Sequence, residues 1–83
     1  MSHGASFNIP EYYLRPQRLS QVWQLRKGKR FATCELWTHP VGAEIRVDVS
    51  GDFLQSEAGR QGFALIDKAE QWRQAFIEKG WTA

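Results

Sequence analysis

Cysteine is almost missing from this chain. Cys34 stands alone, which excludes an internal disulfide and any cysteine-rich zinc site and fits a reducing compartment. Histidine is nearly as scarce, with only His3 and His39, too few to found a metal centre; no metal or other cofactor is expected. No apolar run approaches the ~20 residues that a membrane span needs. The start, Met-Ser-His-Gly-Ala-Ser, lacks the basic and apolar regions of a secretory signal. The expectation is therefore a cytoplasmic protein with no membrane partner. Charge of one sign is lacking too: 11 basic and 9 acidic residues leave a formal +2, which by itself argues for no polyanionic partner.

What the chain does have is rings. Four Trp, five Phe and two Tyr among 83 residues supply large apolar area, which so short a chain needs because it buries only about 60–65% of its unfolded surface. Self-association is the other route by which a small domain gains stability.

The clearest pattern runs from residue 43 to 58. Ala43, Ile45, Val47 and Val49 alternate with Glu44, Arg46, Asp48 and Ser50, the period of a half-buried strand. Strands are expected over 20–27, 30–38, 43–50 and 53–58. They are joined by Gly28-Lys29, by the four-residue loop His39-Pro40-Val41-Gly42, and by Gly51-Asp52, with a type II′ turn at each Gly-led pair. With these loops Trp23 meets Cys34, Leu25 meets Ala32, Leu36 meets Ile45 and Val47 meets Ser56 on one face. On the other face Glu35, Arg46 and Glu57 form a row of alternating charge, worth ~0.2–1 kcal/mol per pair. A helix is expected over 61–79, because Leu65, Ala69, Trp72 and Phe76 recur at helical spacing. Gly80 is placed to end it in the left-handed conformation, with Trp81 returning onto Phe76. The expected fold class is α+β: a four-stranded antiparallel β-meander with one C-terminal helix packed on one face, in two layers. Residues 1–19 read as an N-terminal arm, partly disordered, and residues 20–83 as the single domain. Within the arm, Phe7, Ile9, Tyr12, Tyr13 and Leu14 are too apolar for a free tail.

Catalytic candidates are weak. Cys34 lies in the apolar row and reads as an inert core residue. His39 with nearby Glu44 lacks a third partner. Asp67 and Glu70 share a solvated helix face, and Gly59 and Gly62 around Arg60-Gln61 match no phosphate-binding fingerprint. Surfaces say more. Val22, Phe31, Trp37 and Phe53 are expected to project from the uncovered sheet face beside Glu35 and Arg46, as a candidate interface. The leading reading is a non-enzymatic binding or adaptor module that self-associates as a homodimer or higher homo-oligomer, with an unidentified protein as a further partner. The alternative is a nucleic-acid-binding protein that uses Arg26, Lys27, Lys29 and Arg30 at the first hairpin tip. It ranks second because Glu35, Glu44, Asp48 and Glu57 would face a strand laid across the sheet. An enzyme with an unrecognised site ranks third.

Val22-Trp23-Gln24-Leu25-Arg26-Lys27 and the closing Gly80-Trp81 give the chain a resemblance, over roughly residues 20–81, to short uncharacterised bacterial proteins with a Val-Trp-x-Leu-x-Lys strand and a helix ending in Gly-Trp. The resemblance implies a bacterial accessory protein and carries over no functional residues.

Overall fold

Alternation and short turns produce the expected meander. In a computed structural model that describes residues 15–83, the order is β1 (Arg18–Lys27), β2 (Arg30–His39), β3 (Gly42–Val49), β4 (Asp52–Gly59) and α1 (Gly62–Glu78). The strands form one antiparallel sheet in the order β1-β2-β3-β4. The expected docking of residues 7–14 lies outside the described residues. Residues 17 and 38 extend the β1–β2 pairing, since the Gln17 N–H donates to Thr38 Oγ1 and the Thr38 N–H to the Gln17 carbonyl, each at 2.9 Å.

Three registers can be compared with the pattern. In the first hairpin Lys27 pairs with Arg30, and only Gly28 of the two turn residues has positive φ, 63°, as a type II′ turn requires. Trp23 meets Cys34 and Leu25 meets Ala32 as expected. The β2–β3 turn is tighter than the expected loop, with His39 paired to Gly42 around Pro40-Val41. Both loops share one centre, so Leu36↔Ile45 and Cys34↔Val47 stand. The third hairpin departs from expectation. Its turn is Ser50-Gly51, with φ of 52° and 90°, the two positive values of a type I′ turn, and Val49 pairs with Asp52. Asp48 then meets Phe53, Leu54 bulges, and Val47 meets Gln55. Phe53 keeps its expected face because moving the turn by one residue moves its partner by two, from Ser50 to Asp48. Glu57 does not: it lies opposite Ile45 on the helix side, 4.0 Å from Lys68. The expected charge row thus reduces to Glu35 opposite Arg46, with Ser56 in third place.

The core lies between the sheet and α1. Trp23, Leu25, Ala32, Cys34, Ile45 and Val47 from the sheet pack with Leu65 and Ala69 of the helix and with Trp81 beyond it. Trp23 places a large ring here without an orphaned donor, because its Nε1–H donates to the Ala69 carbonyl at 2.8 Å. Its ring also lies 5.6 Å from that of Phe76.

The helix ends as its sequence predicts. Gly80 has φ 98°, its N–H donates to the Ile77 carbonyl, and the Trp81 N–H donates to that of Phe76, the paired bonds of a Schellman motif. Trp81 packs edge-on against Phe76 at 5.5 Å. One residue later Thr82 exchanges both backbone hydrogen bonds with Arg26, at 2.6 and 2.8 Å. This single bridge covers part of the outer edge of β1 and ties the helix end to the first hairpin. No helix among the described residues is long and apolar enough to cross a membrane.

Candidate functional site

The registers sort the outward-facing side chains into rows. Arg18, Trp37 and Glu44 share one row, Gln21, Glu35 and Arg46 the next, and Gln24, Thr33, Asp48 and Phe53 the third. Arg26 and Phe31 lie opposite each other near the first hairpin tip. Trp37 is held by its neighbours on this face. Its Nε1–H donates to Glu35 Oε1 at 3.2 Å, and the Arg46 guanidinium lies over its ring at 4.3 Å from the centroid. Arg46 Nε in turn donates to Glu44 Oε1 at 2.9 Å, and Arg18 Nη1 reaches Glu35 Oε2 at 3.4 Å. Each pair is individually modest, because surface ion pairs contribute about 0–1 kcal/mol and an exposed cation–π contact ~0.5–1 kcal/mol. Together they hold the indole half-buried on the sheet.

Beside Trp37 lies a cleft of about 150 Å3 lined by Glu35, Trp37, Arg46, Asp48, Gly51 and Phe53. Phe53 stands at its rim with 66% of its surface exposed, and Phe31 farther along the face is 43% exposed. Five of the six candidate interface residues therefore share this face. Val22 does not. β1 bulges between Gln21 and Trp23, and the extra residue, Val22, packs against the core cluster. A bulge adds one residue and breaks strict alternation, so counting by twos from Trp23 assigned Val22 to the wrong side.

The basic hairpin is more than a solvated tip. Lys27 Nζ donates to the Lys79 carbonyl at 2.7 Å, satisfying one of the acceptors a helix end leaves open, and the Arg30 guanidinium lies 5.5 Å from the Trp81 ring centroid. Both therefore also brace the helix terminus. Arg26 holds Thr82 through its backbone, and Lys29 sits in the turn itself.

Catalytic candidates remain dispersed. Cys34 is fully buried, and burial first, then the neighbouring Glu35 charge, pushes its thiol pKa up to about 12, so it stays protonated at neutral pH. His39 Nδ1 accepts the Val41 N–H at 3.2 Å, which makes it a turn residue, while Glu44 is held by Arg46 instead. Glu70 accepts from Gln74 at 2.8 Å and from Arg73 at 3.0 Å on the solvent side of α1. The roles of Lys79, Trp81 and Thr82 in bracing the hairpin had one signal in the sequence, the Gly80-Trp81 ending. The strand to which that ending returns had none.

The described residues thus define a two-layer α+β domain with an aromatic and charged open sheet face and a basic corner. Comparison with protein families, with curated proteins and with solved structures finds no match to this chain.

Proposed function

We propose that the chain is a small, non-enzymatic binding or adaptor module of the cytoplasm that self-associates through its open sheet face, an accessory role in keeping with the resemblance noted above. The observation that carries this reading is Phe53, 66% exposed at the rim of the Trp37–Arg46 cleft. In a two-fold contact Phe53 of one copy enters the cleft of the other, and the same insertion occurs twice, as an isologous interface requires. Charge supports the arrangement: Arg18 and Arg46 of one copy meet Glu35, Glu44 or Asp48 of the other. Covering the two rings and their neighbours at about 25 cal/mol per Å2 offers a few kcal/mol before the cost of association.

The test is solution mass by light scattering at high micromolar concentration. A dimer is expected for the parent chain, and monomers for Phe53→Ser and Trp37→Glu. Phe53→Ser is the cleaner variant because this ring contributes little to the fold. A parent chain that is strictly monomeric across the concentration range would sink the reading.

A further inference from the structure

Apart from Arg15 and Arg60, the cations of this chain fall into two groups. Arg18, Arg46, Lys68 and Arg73 each sit within ion-pair distance of a carboxylate, on the sheet face and along the helix. Arg26, Lys27, Lys29, Arg30 and Lys79 are ion-paired with none among the described residues, and the fold collects them at one corner. The hairpin supplies the first four, and the Lys27–Lys79 and Arg30–Trp81 contacts bring the helix end against them. A formal charge of only +2 for the chain conceals this asymmetry. The positive potential is strongest where the described residues place no carboxylate within ion-pair distance of these side chains.

A cleft of about 270 Å3 opens beside this corner, lined by Gln24, Leu25, Arg26, Phe31 and Ala83. Phe31 offers a half-exposed aromatic ring directly across from Arg26. Gln24 uses its amide N–H on Thr33 Oγ1 at 3.1 Å, which leaves its carbonyl oxygen as an acceptor for a ligand donor. An aromatic ring, a guanidinium and an amide around one cleft, flanked by unquenched cations, are the elements with which proteins hold an unstacked base and its phosphates. We propose that this corner is a binding site for single-stranded nucleic acid, in which Phe31 stacks on a base while Arg26 and Lys29 meet the neighbouring phosphates.

Lys27 and Arg30 add field from fixed positions, since the helix terminus already orders them and little further side-chain entropy is lost when a phosphate arrives. A single strand fits better than a duplex because only an unstacked base presents its face to Phe31. A phosphate-rich membrane surface would use the cations but leave the flat ring and the amide without a role. Three of the four carboxylates first expected on the open face lie away from this placement: Glu35 and Glu44 are toward the other end of the sheet, and Glu57 is on the helix side; Asp48 shares the row of Gln24 but lies two strands away, across Thr33. The site is also separate from the proposed contact between copies. Phe53 lies two strands away, and Trp37 lies six residues along β2, about 20 Å at the usual rise per residue.

Fluorescence anisotropy with labelled oligo-dT and oligo-U of about 12 nucleotides, from about 50 to about 200 mM salt, tests the site. Micromolar binding is expected, with a log–log salt slope near −2, for about three phosphates at about −0.7 each. Arg26→Gln with Lys29→Gln should weaken binding by about tenfold and flatten that slope. Phe31→Ser should weaken it by about fivefold or more with the slope unchanged, because stacking releases no counterions. Thermal melts establish that these exposed-site variants fold. Phe53→Ser should bind as the parent chain does, so loss of self-association and loss of this site are read separately. Absence of oligonucleotide binding at the lowest salt overturns the proposal, as does binding that Phe31→Ser leaves unchanged. Attachment to phosphatidylglycerol vesicles without oligonucleotide binding overturns it in favour of a membrane surface.

Discussion

The two faces of the sheet hold their tryptophans in different ways. On the covered face Trp23 gives its N–H to a backbone carbonyl of α1, and Trp81 is fixed by the Schellman turn and by Phe76. On the open face the partners of Trp37 are side chains: the Glu35 carboxylate takes its N–H and the Arg46 guanidinium covers its ring. A backbone carbonyl inside a helix cannot leave without unwinding the turn that carries it, whereas a carboxylate or guanidinium exchanges partners by rotating about its own bonds. Rings of the first kind belong to the cooperative core. Rings of the second kind can be handed to another surface at small cost, which suits recognition.

The largest expected effect breaks the comparison at one strand. Val47 and Asp48 are neighbours whose side chains point to opposite faces, the first fully buried and the second beside the open cleft. Val47→Asp should unfold the domain, because an unpaired carboxylate in the core costs several kcal/mol against a total of about 5–15. Asp48→Ala should be mild. Circular dichroism melts check both, and equal stability of the two variants would mean that the faces are assigned wrongly.

Next in size is one truncation made on each face. Trp81→Ala removes a ring only 6% exposed and should cost about 3–5 kcal/mol, within the range for large core side chains. Trp37→Ala should cost about 1 kcal/mol, since it loses one hydrogen bond and one cation–π contact in a half-solvated setting. Denaturant titrations of the two variants give the difference directly. Similar losses would mean that the open face is part of the core, not a surface held ready for a partner.

How much of this was legible in the residues depends on whether a period was present. The first two registers followed from alternation and short turns, because a one-residue slip would have put Ile45 and Val47 into solvent. The third did not, since Ser50-Gly51-Asp52 can make either of two tight turns, and the residues after it, Leu54-Gln55-Ser56, alternate too weakly to choose. That ambiguity misplaced Glu57, and the bulge before Trp23 misplaced Val22. Phe31, Glu35, Trp37, Arg46 and Phe53 were placed together from pattern alone. The basic hairpin was visible as a run of charge, but its contact with Lys79 and Trp81 was not, because a one-residue bridge at Thr82 leaves no periodic trace.

Gly80 tests how far the covered face depends on that clasp. Its φ of 98° lies where a Cβ is strained, while the space around the position is adequate, with Lys27 Cε at 3.5 Å from an added Cβ. Gly80→Ala should therefore cost about 1–2 kcal/mol through the backbone and not through a collision. The effect should appear in thermal melts with self-association unchanged. A melting temperature that does not move would show that the helix end contributes nothing to the core.

The smallest expected effect lies outside both faces, on the solvent side of α1. The Gln74 amide, and after it the charge and hydrogen bond of Arg73, hold the Glu70 carboxyl below its usual range. A carboxylate lowered in this way adds stability above the pKa it has in the unfolded chain, about 4.3, and loses that contribution as pH falls through its folded value. In Glu70→Gln the contribution is gone at every pH. The parent chain should therefore melt slightly higher than the variant at neutral pH, and the gap should close on acidification. Added salt should narrow the Arg73 part of the gap and spare the Gln74 hydrogen bond, since screening acts on the charge pair of this exposed group. A gap that widens toward acid would place the carboxyl above its usual range and contradict the two hydrogen bonds it accepts. The dimer expected from the open sheet face should be indifferent to this change, because α1 lies on the other side of the sheet.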